Sequence, residues 1–97
     1  MSLTPKFRHE LRAKAHKLKP VVMIGDKGLT ENVIKELKGA IEHHELIKVK
    51  ISGADKESRL AVTTEICAVV RCEPVQNIGN IVVLYRKNHD KNKKITK

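Results

Sequence analysis

The chain has 97 residues, with 20 Lys/Arg against 11 Asp/Glu, a formal net charge of +9 and a pI near 9.8. A domain of that length buries roughly 60–70% of the surface its unfolded chain exposes, and Phe7 and Tyr85 are its only aromatic residues. The core must therefore be aliphatic, a base-stacking aromatic platform is excluded, and the charge favours an anionic partner, nucleic acid ahead of a membrane surface.

Residues 4–19 read as a helix. Thr4 caps it, Pro5 suits its first position, and Leu3, Phe7, Leu11, Ala15 and Leu18 form one apolar stripe. Arg8, Arg12, His16 and Lys19 run beside that stripe with the same spacing. Only Glu10 balances the bases, unlike the alternating signs of an ordinary exposed helix. Pro20 ends the helix at or before Lys19.

Val21–Ile24 is a short, continuously apolar run, as expected of a buried strand. It stops at Gly25-Asp26-Lys27-Gly28-Leu29-Thr30, a glycine pair spaced G-x-x-G followed by a helix cap. Glycine serves where φ turns positive or a ligand nears the backbone. A helix N-terminus offers unpaired N–H groups and the positive end of a dipole. With Lys27 at its tip, the turn reads as a grip for a sugar-phosphate backbone. It is neither a G-x-x-x-x-G-K-[S/T] triphosphate loop nor a three-glycine dinucleotide fingerprint.

A second helix is expected over residues 30–43, with Val33, Ile34, Leu37, Ala40 and Ile41 inward. In Leu46–Ser52, Ile47, Val49 and Ile51 alternate with Lys48 and Lys50, so one strand face is buried and the other carries lysines. Strand, helix, strand makes a βαβ unit with parallel strands. Residues 55–71 fit a strand by alternation and β-branching, and a helix by Val62, Ile66, Val69 and Val70. Their length and the Asp55 cap decide for the helix. Pro74–Asn77 and Ile81–Arg86 pair as a hairpin around Gly79-Asn80. Residues 88–97 are polar and basic without periodicity and read as a disordered tail following a domain over 1–87.

The charge excess sits at both ends. Residues 1–24 hold six Lys/Arg against one acid, and residues 74–97 again six against one. They make one patch only if folding brings them together. Cys67 and Cys72 lie five apart, which on a single helix is poor disulfide geometry, and no second pair exists to close a zinc site. Free thiols, together with the absence of a leader pattern or an apolar run of membrane length, point to the cytoplasm. His43-His44-Glu45 lacks metal-ligand spacing, His9 and His16 lack further ligands, and no catalytic constellation is found. The expectation is a non-enzyme without cofactor or metal. Its alternative is a module that docks its basic amphipathic first helix on a protein or an anionic membrane.

These residues, in this order, resemble the CRM domain, the chloroplast RNA splicing and ribosome maturation family, and in particular its single-domain bacterial YhbY-type members. The resemblance covers roughly residues 3–87. It is carried by Leu3-Thr4, Leu11-Arg12, Ala15-His16, Leu18-Lys19-Pro20-Val21-Val22, Gly25-Asp26-Lys27-Gly28-Leu29-Thr30, His44-Glu45-Leu46-Ile47-Lys48-Val49-Lys50, Val75-Gln76, Gly79 and Leu84-Tyr85-Arg86. It implies an α/β fold, a four-stranded mixed sheet with three helices in the order α-β-α-β-α-β-β, similar to the C-terminal domain of a bacterial translation initiation factor. It also implies an RNA-binding protein associated with large-subunit ribosome precursors, and the chain is expected to be a monomer. The RNA-contacting loop maps to Gly25, Asp26, Lys27 and Gly28, and the basic first helix to Arg8, Arg12 and Lys19. Lys48, Lys50 and Arg86 extend the expected contact. The chain departs from the family pattern at Phe7, Lys14, Asp26 (an acid in the gripping loop), Arg71 (where a helix-ending glycine is usual) and Asn80.

Overall fold

A computed structural model describes residues 4–25, 27–53 and 55–87. Its elements are α1 (Pro5–Ala15), β1 (Pro20–Ile24), α2 (Glu31–His44), β2 (Leu46–Ile51), α3 (Lys56–Val70), β3 (Glu73–Ile78) and β4 (Ile81–Tyr85). The strands form one sheet in the order β1-β2-β4-β3. β1 and β2 are parallel, as the βαβ reading requires, and the other pairs are antiparallel. Pro20 and Pro74 both fall on edge strands, the positions where a missing N–H is tolerated.

Each helix starts on a side-chain cap. Thr4 Oγ1 accepts from the Phe7 amide, Thr30 Oγ1 from Val33, and an Asp55 carboxylate oxygen from Ser58. The Ser58 amide hydrogen bond also holds the Asp55 carboxyl below its usual range. The first helix stops four residues short of the expected end. Lys17 and Leu18 donate to Lys14 and Ala15, three residues back instead of four, so the last turn tightens and unwinds ahead of Pro20. Leu18 is left exposed and Lys19 falls outside the helix. Leu3, at the head of the predicted apolar stripe, lies outside the described residues, as does the predicted tail 88–97.

Residues 56–70 are helical, so cap and length outweigh strand propensity. Arg71 ends α3 at φ +61°, supplying the left-handed cap that glycine usually provides. The chain then folds back, and the Cys72 amide donates to the Cys67 carbonyl. The expectation that both cysteines share a helix is therefore corrected: Cys72 lies beyond α3 and its sulfur is 3.8 Å from that of Cys67. Both thiols are free. Cys72 donates to Cys67, and with burial this pushes the Cys72 thiol pKa up, while the same bond lowers that of Cys67.

Two cores flank the sheet. The larger packs Leu37 and Ile41 of α2 and Ile66 and Val70 of α3 on Val22, Ile24, Ile47, Val49, Ile51, Val82 and Leu84. The smaller packs Leu11 and Ala15 of α1 on Val75, Val83 and Tyr85, with Phe7 and Leu46 at its margin. The Phe7 and Tyr85 rings meet edge to face at 5.3 Å. β4, between both cores, is buried on both faces. β1 is not, because α1 leaves its outer face uncovered: Val22 and Ile24 are buried, but Val21 and Met23 are exposed. This corrects the expectation of a wholly buried first strand.

Candidate nucleic-acid interface

The Gly25–Gly28 turn continues directly from the C-terminal end of β1. Its foot is fixed where the Ser52 amide donates to the Ile24 carbonyl and Ile51 to Asn80. Gly28 has φ +71° and donates its amide to the Gly25 carbonyl at 3.0 Å, which closes the turn. One of the glycine amides expected to face a phosphate is therefore used within the chain. Among the described residues no acceptor pairs with the amides of Lys27 or Leu29, and the Lys27 side chain is exposed. Asp26 lies outside the described residues. Glu31 places a carboxylate in the first turn of α2, which partly answers the dipole of that terminus from within. The two glycines differ. Gly28 is demanded by its positive φ. Gly25 has no positive φ, and a Cβ there would meet nothing within 4 Å, so the isolated fold does not require it.

Lys48 and Lys50 lie on the sheet face opposite α2 and α3, alternating with buried Ile47, Val49 and Ile51. Met23 pairs with Lys50 across the parallel ladder, so that face runs from Lys50 onto the strand that feeds the turn. Arg12 approaches the same face from the opposite edge of the sheet: with His9 and Ala13 of α1 and the capping residue His16 it lines a shallow groove against Gln76 and Ile78 of β3. Among the described residues, no carboxylate pairs with Arg12, Lys27, Lys48 or Lys50. The fold thus gathers Arg12, Lys48 and Lys50 on the α1 side of the sheet, around an uncovered stretch, with exposed Lys27 on the turn that adjoins it.

Three other expected contacts are placed differently. Arg8 is half-buried and donates to the carbonyls of Pro74 at 2.7 Å and Val75 at 3.2 Å, clamping α1 to edge strand β3. Arg86 donates to the Val70 carbonyl at the end of α3 and stands 4.0 Å from a Glu42 carboxylate oxygen. It follows Tyr85, which pairs with Leu46 at the start of β2, and five residues of strand, about 17 Å, separate that level from the glycine turn. Lys19 precedes β1, about 20 Å from Gly25 along the strand. The cations from the two parts of the chain therefore do not all converge on the turn.

His43 and His44 stack edge to face at 4.5 Å at the end of α2. Among the described residues no group of three or more His, Cys, Asp and Glu side chains could hold a metal ion, and no helix is long and apolar enough to cross a membrane. Met23 and Ile78 on this face, and Gln76 beside Arg12, are not distinguished by local sequence as part of one surface. Met23 is hidden in an apolar run whose two faces only the position of α1 distinguishes, Ile78 carries no local signal, and Gln76 stands out only through the family resemblance.

A mixed four-stranded sheet, sealed by two helices behind and half covered by one in front, with exposed or half-buried cations on the open part that no carboxylate pairs among the described residues, defines a class of surface suited to a polyanion. Residues 3–86 match the CRS1 / YhbY (CRM) domain, and the chain belongs to that family. It is 45% identical over 89 residues to a Haemophilus influenzae protein named RNA-binding protein, covering 92% of this chain and 90% of that one. A Pseudomonas aeruginosa relative is 42% identical over 96 residues, covering 99% and 92%. The solution structure of a hypothetical protein from Staphylococcus aureus has the same fold, with a TM-score of 0.80 at 34% identity over 90% of this chain and 91% of that one.

Proposed function

We propose that the protein binds RNA without catalysing a reaction on it, and that it acts as a cytoplasmic monomer on ribosomal RNA precursors during assembly of the large subunit. The observation that carries this reading is a set of cations without a carboxylate partner among the described residues: Arg12, Lys48 and Lys50 on the open side of the sheet, and exposed Lys27 on the Gly25–Gly28 turn that continues from its edge strand. Phosphates sit at the turn and along β2, and bind there by charge and by amide donors. The naming of the Haemophilus influenzae relative supports RNA as the polyanion. Docking through the apolar stripe of α1 is disfavoured, because Leu11 and Ala15 are already buried in the smaller core.

Gly25→Ala is the direct test, since the isolated fold accommodates the added methyl. With an unchanged melting temperature, affinity for a ribosomal RNA fragment in filter binding should fall about tenfold, as expected for one lost charge-assisted contact. Four phosphate contacts on unpaired RNA give a slope of log K against log[salt] of about −3. A slope near zero would overturn phosphate binding by these cations, and Gly25→Ala binding like the wild type would remove the turn from the interface. Crosslinking in cells should recover large-subunit precursor RNA above other transcripts; recovery spread evenly over messenger RNA contradicts the assembly role.

A further inference from the structure

Four side chains form a single row across the open face. Met23 pairs with Lys50, Lys50 with Ile81, and Ile81 with Ile78. Directly paired residues project to the same side of a sheet, and the strand spacing makes the row about 14 Å long. Met23 is 67% exposed and Ile78 57%. Isolated apolar residues on a surface need no explanation, but these are aligned, and the one polar member is a lysine. The methylene stem of such a side chain covers apolar surface while its charge stays in water. Each end of the row adjoins cations. Met23 stands two residues before Gly25, where the turn that carries Lys27 begins, and Ile78 shares its groove with Arg12.

The geometry points to an aliphatic floor for nucleobases, Met23, Ile81 and Ile78, so that the ligand of this face is unpaired RNA. The inference rests on the RNA-binding reading above and specifies its substrate class. Bases of an unpaired strand lie on the apolar row while its phosphates meet Lys27, Lys50 and Arg12. Gln76, beside Ile78, brings an amide that both donates and accepts to a base edge. An A-form duplex keeps its base faces inside its own stack and presents phosphates, sugars and groove edges. It would satisfy the cations and leave Met23 and Ile78 in water. The row thus does with aliphatic side chains what aromatic platforms do elsewhere, in a chain whose aromatics are confined to Phe7 and Tyr85.

The double variant Met23→Ser/Ile78→Ser, made in the full chain, removes the apolar floor and no charge. Both positions are exposed, and an unchanged melting temperature confirms the fold. A short labelled oligouridylate and an RNA duplex of equal length are titrated at several salt concentrations. Wild type should prefer the unpaired strand. The double variant should lose about tenfold in affinity for it through lost apolar contact, with the salt slope and duplex binding unaltered. Lys50→Gln should instead flatten the slope by about 0.7. Wild type binding both RNAs equally, or the double variant matching wild type on the unpaired strand, overturns the floor and leaves RNA binding standing. So does a wild-type dimer in sedimentation that the double variant dissociates, because a second copy would then cover the row. Salt-independent or absent binding to both RNAs overturns the floor and the RNA-binding reading together.

Discussion

On the back of β2, Ile47, Val49 and Ile51 are each at most 3% exposed; on the front of the same strand Lys48 and Lys50 are half-buried and unpaired among the described residues. The back is covered by two helices and joined into one core of twelve buried residues, aliphatic but for Cys72. The front has five, gathered under a single helix that covers β3, β4 and only the beginning of β2. The difference shows how a strand with a period of two can serve stability on one face and leave the other free for a ligand. It also explains why α1 needs a second hold. The small core is supplemented by the Arg8 clamp on β3 and by the Phe7–Tyr85 contact.

Truncation on each face tests this asymmetry most severely. Leu37→Ala empties a fully buried site behind the sheet and should cost about 2–5 kcal/mol in urea unfolding. Leu11→Ala, chemically the same change under α1, should stay near the lower end of that range, about 2 kcal/mol, because a peripheral helix can settle into the space. A loss at Leu11 equal to or greater than that at Leu37 would mean that α1 is as deeply integrated as the back layer.

The next test separates two arginines on one helical stripe. Arg8→Met removes a donor from two β3 carbonyls and should lower stability by about 1–2 kcal/mol, while the salt slope of RNA binding stays the same. Arg12→Met should leave unfolding unchanged and flatten that slope by about 0.7. If both variants change the slope alike, Arg8 also reaches RNA and the division between clamping and contacting cations fails.

Much of this architecture is legible in local chemistry. Thr4, Thr30 and Asp55 announce the helix starts, the Ile/Lys alternation of β2 declares two unlike faces, and Gly79-Asn80 marks the hairpin. What escapes sequence reading is set by partners distant in the chain. Arg8 and Arg12 are equivalent along α1 until β3 is laid beside it, 66 residues away. Arg86 belongs to a basic stretch in sequence yet stabilises the end of α3 in space. Met23 cannot be told from Val22 in an apolar run, because edge strand β1 is covered on one face only. The early end of α1 was implicit in Pro20, but how far the helix unwinds before it depends on the tight turn after Ala15. Arg71 shows the same limit, since a non-glycine residue takes the left-handed cap only where the following chain must fold back to Cys72.

Tyr85 offers the finest reading of the front core, because the chain has a single tyrosine and an ultraviolet titration reports it alone. Desolvation in the small core, and then the negative charge of Glu45, raise its pKa above the usual 10.0. The unfolded chain ionises near 10.0, so neutral Tyr85 favours the fold fully below that pH, and this contribution is lost as pH rises through the folded value. Phenolate absorbance should therefore appear at higher pH in the native protein than in urea, and stability should decline over that interval. Loosening the cover with Phe7→Ala should move the native titration back toward 10.0 without altering the back core. A native titration already at 10.0 in the wild type would mean that water reaches Tyr85 freely, and that the helix in front of the sheet is a looser layer than its two anchors imply.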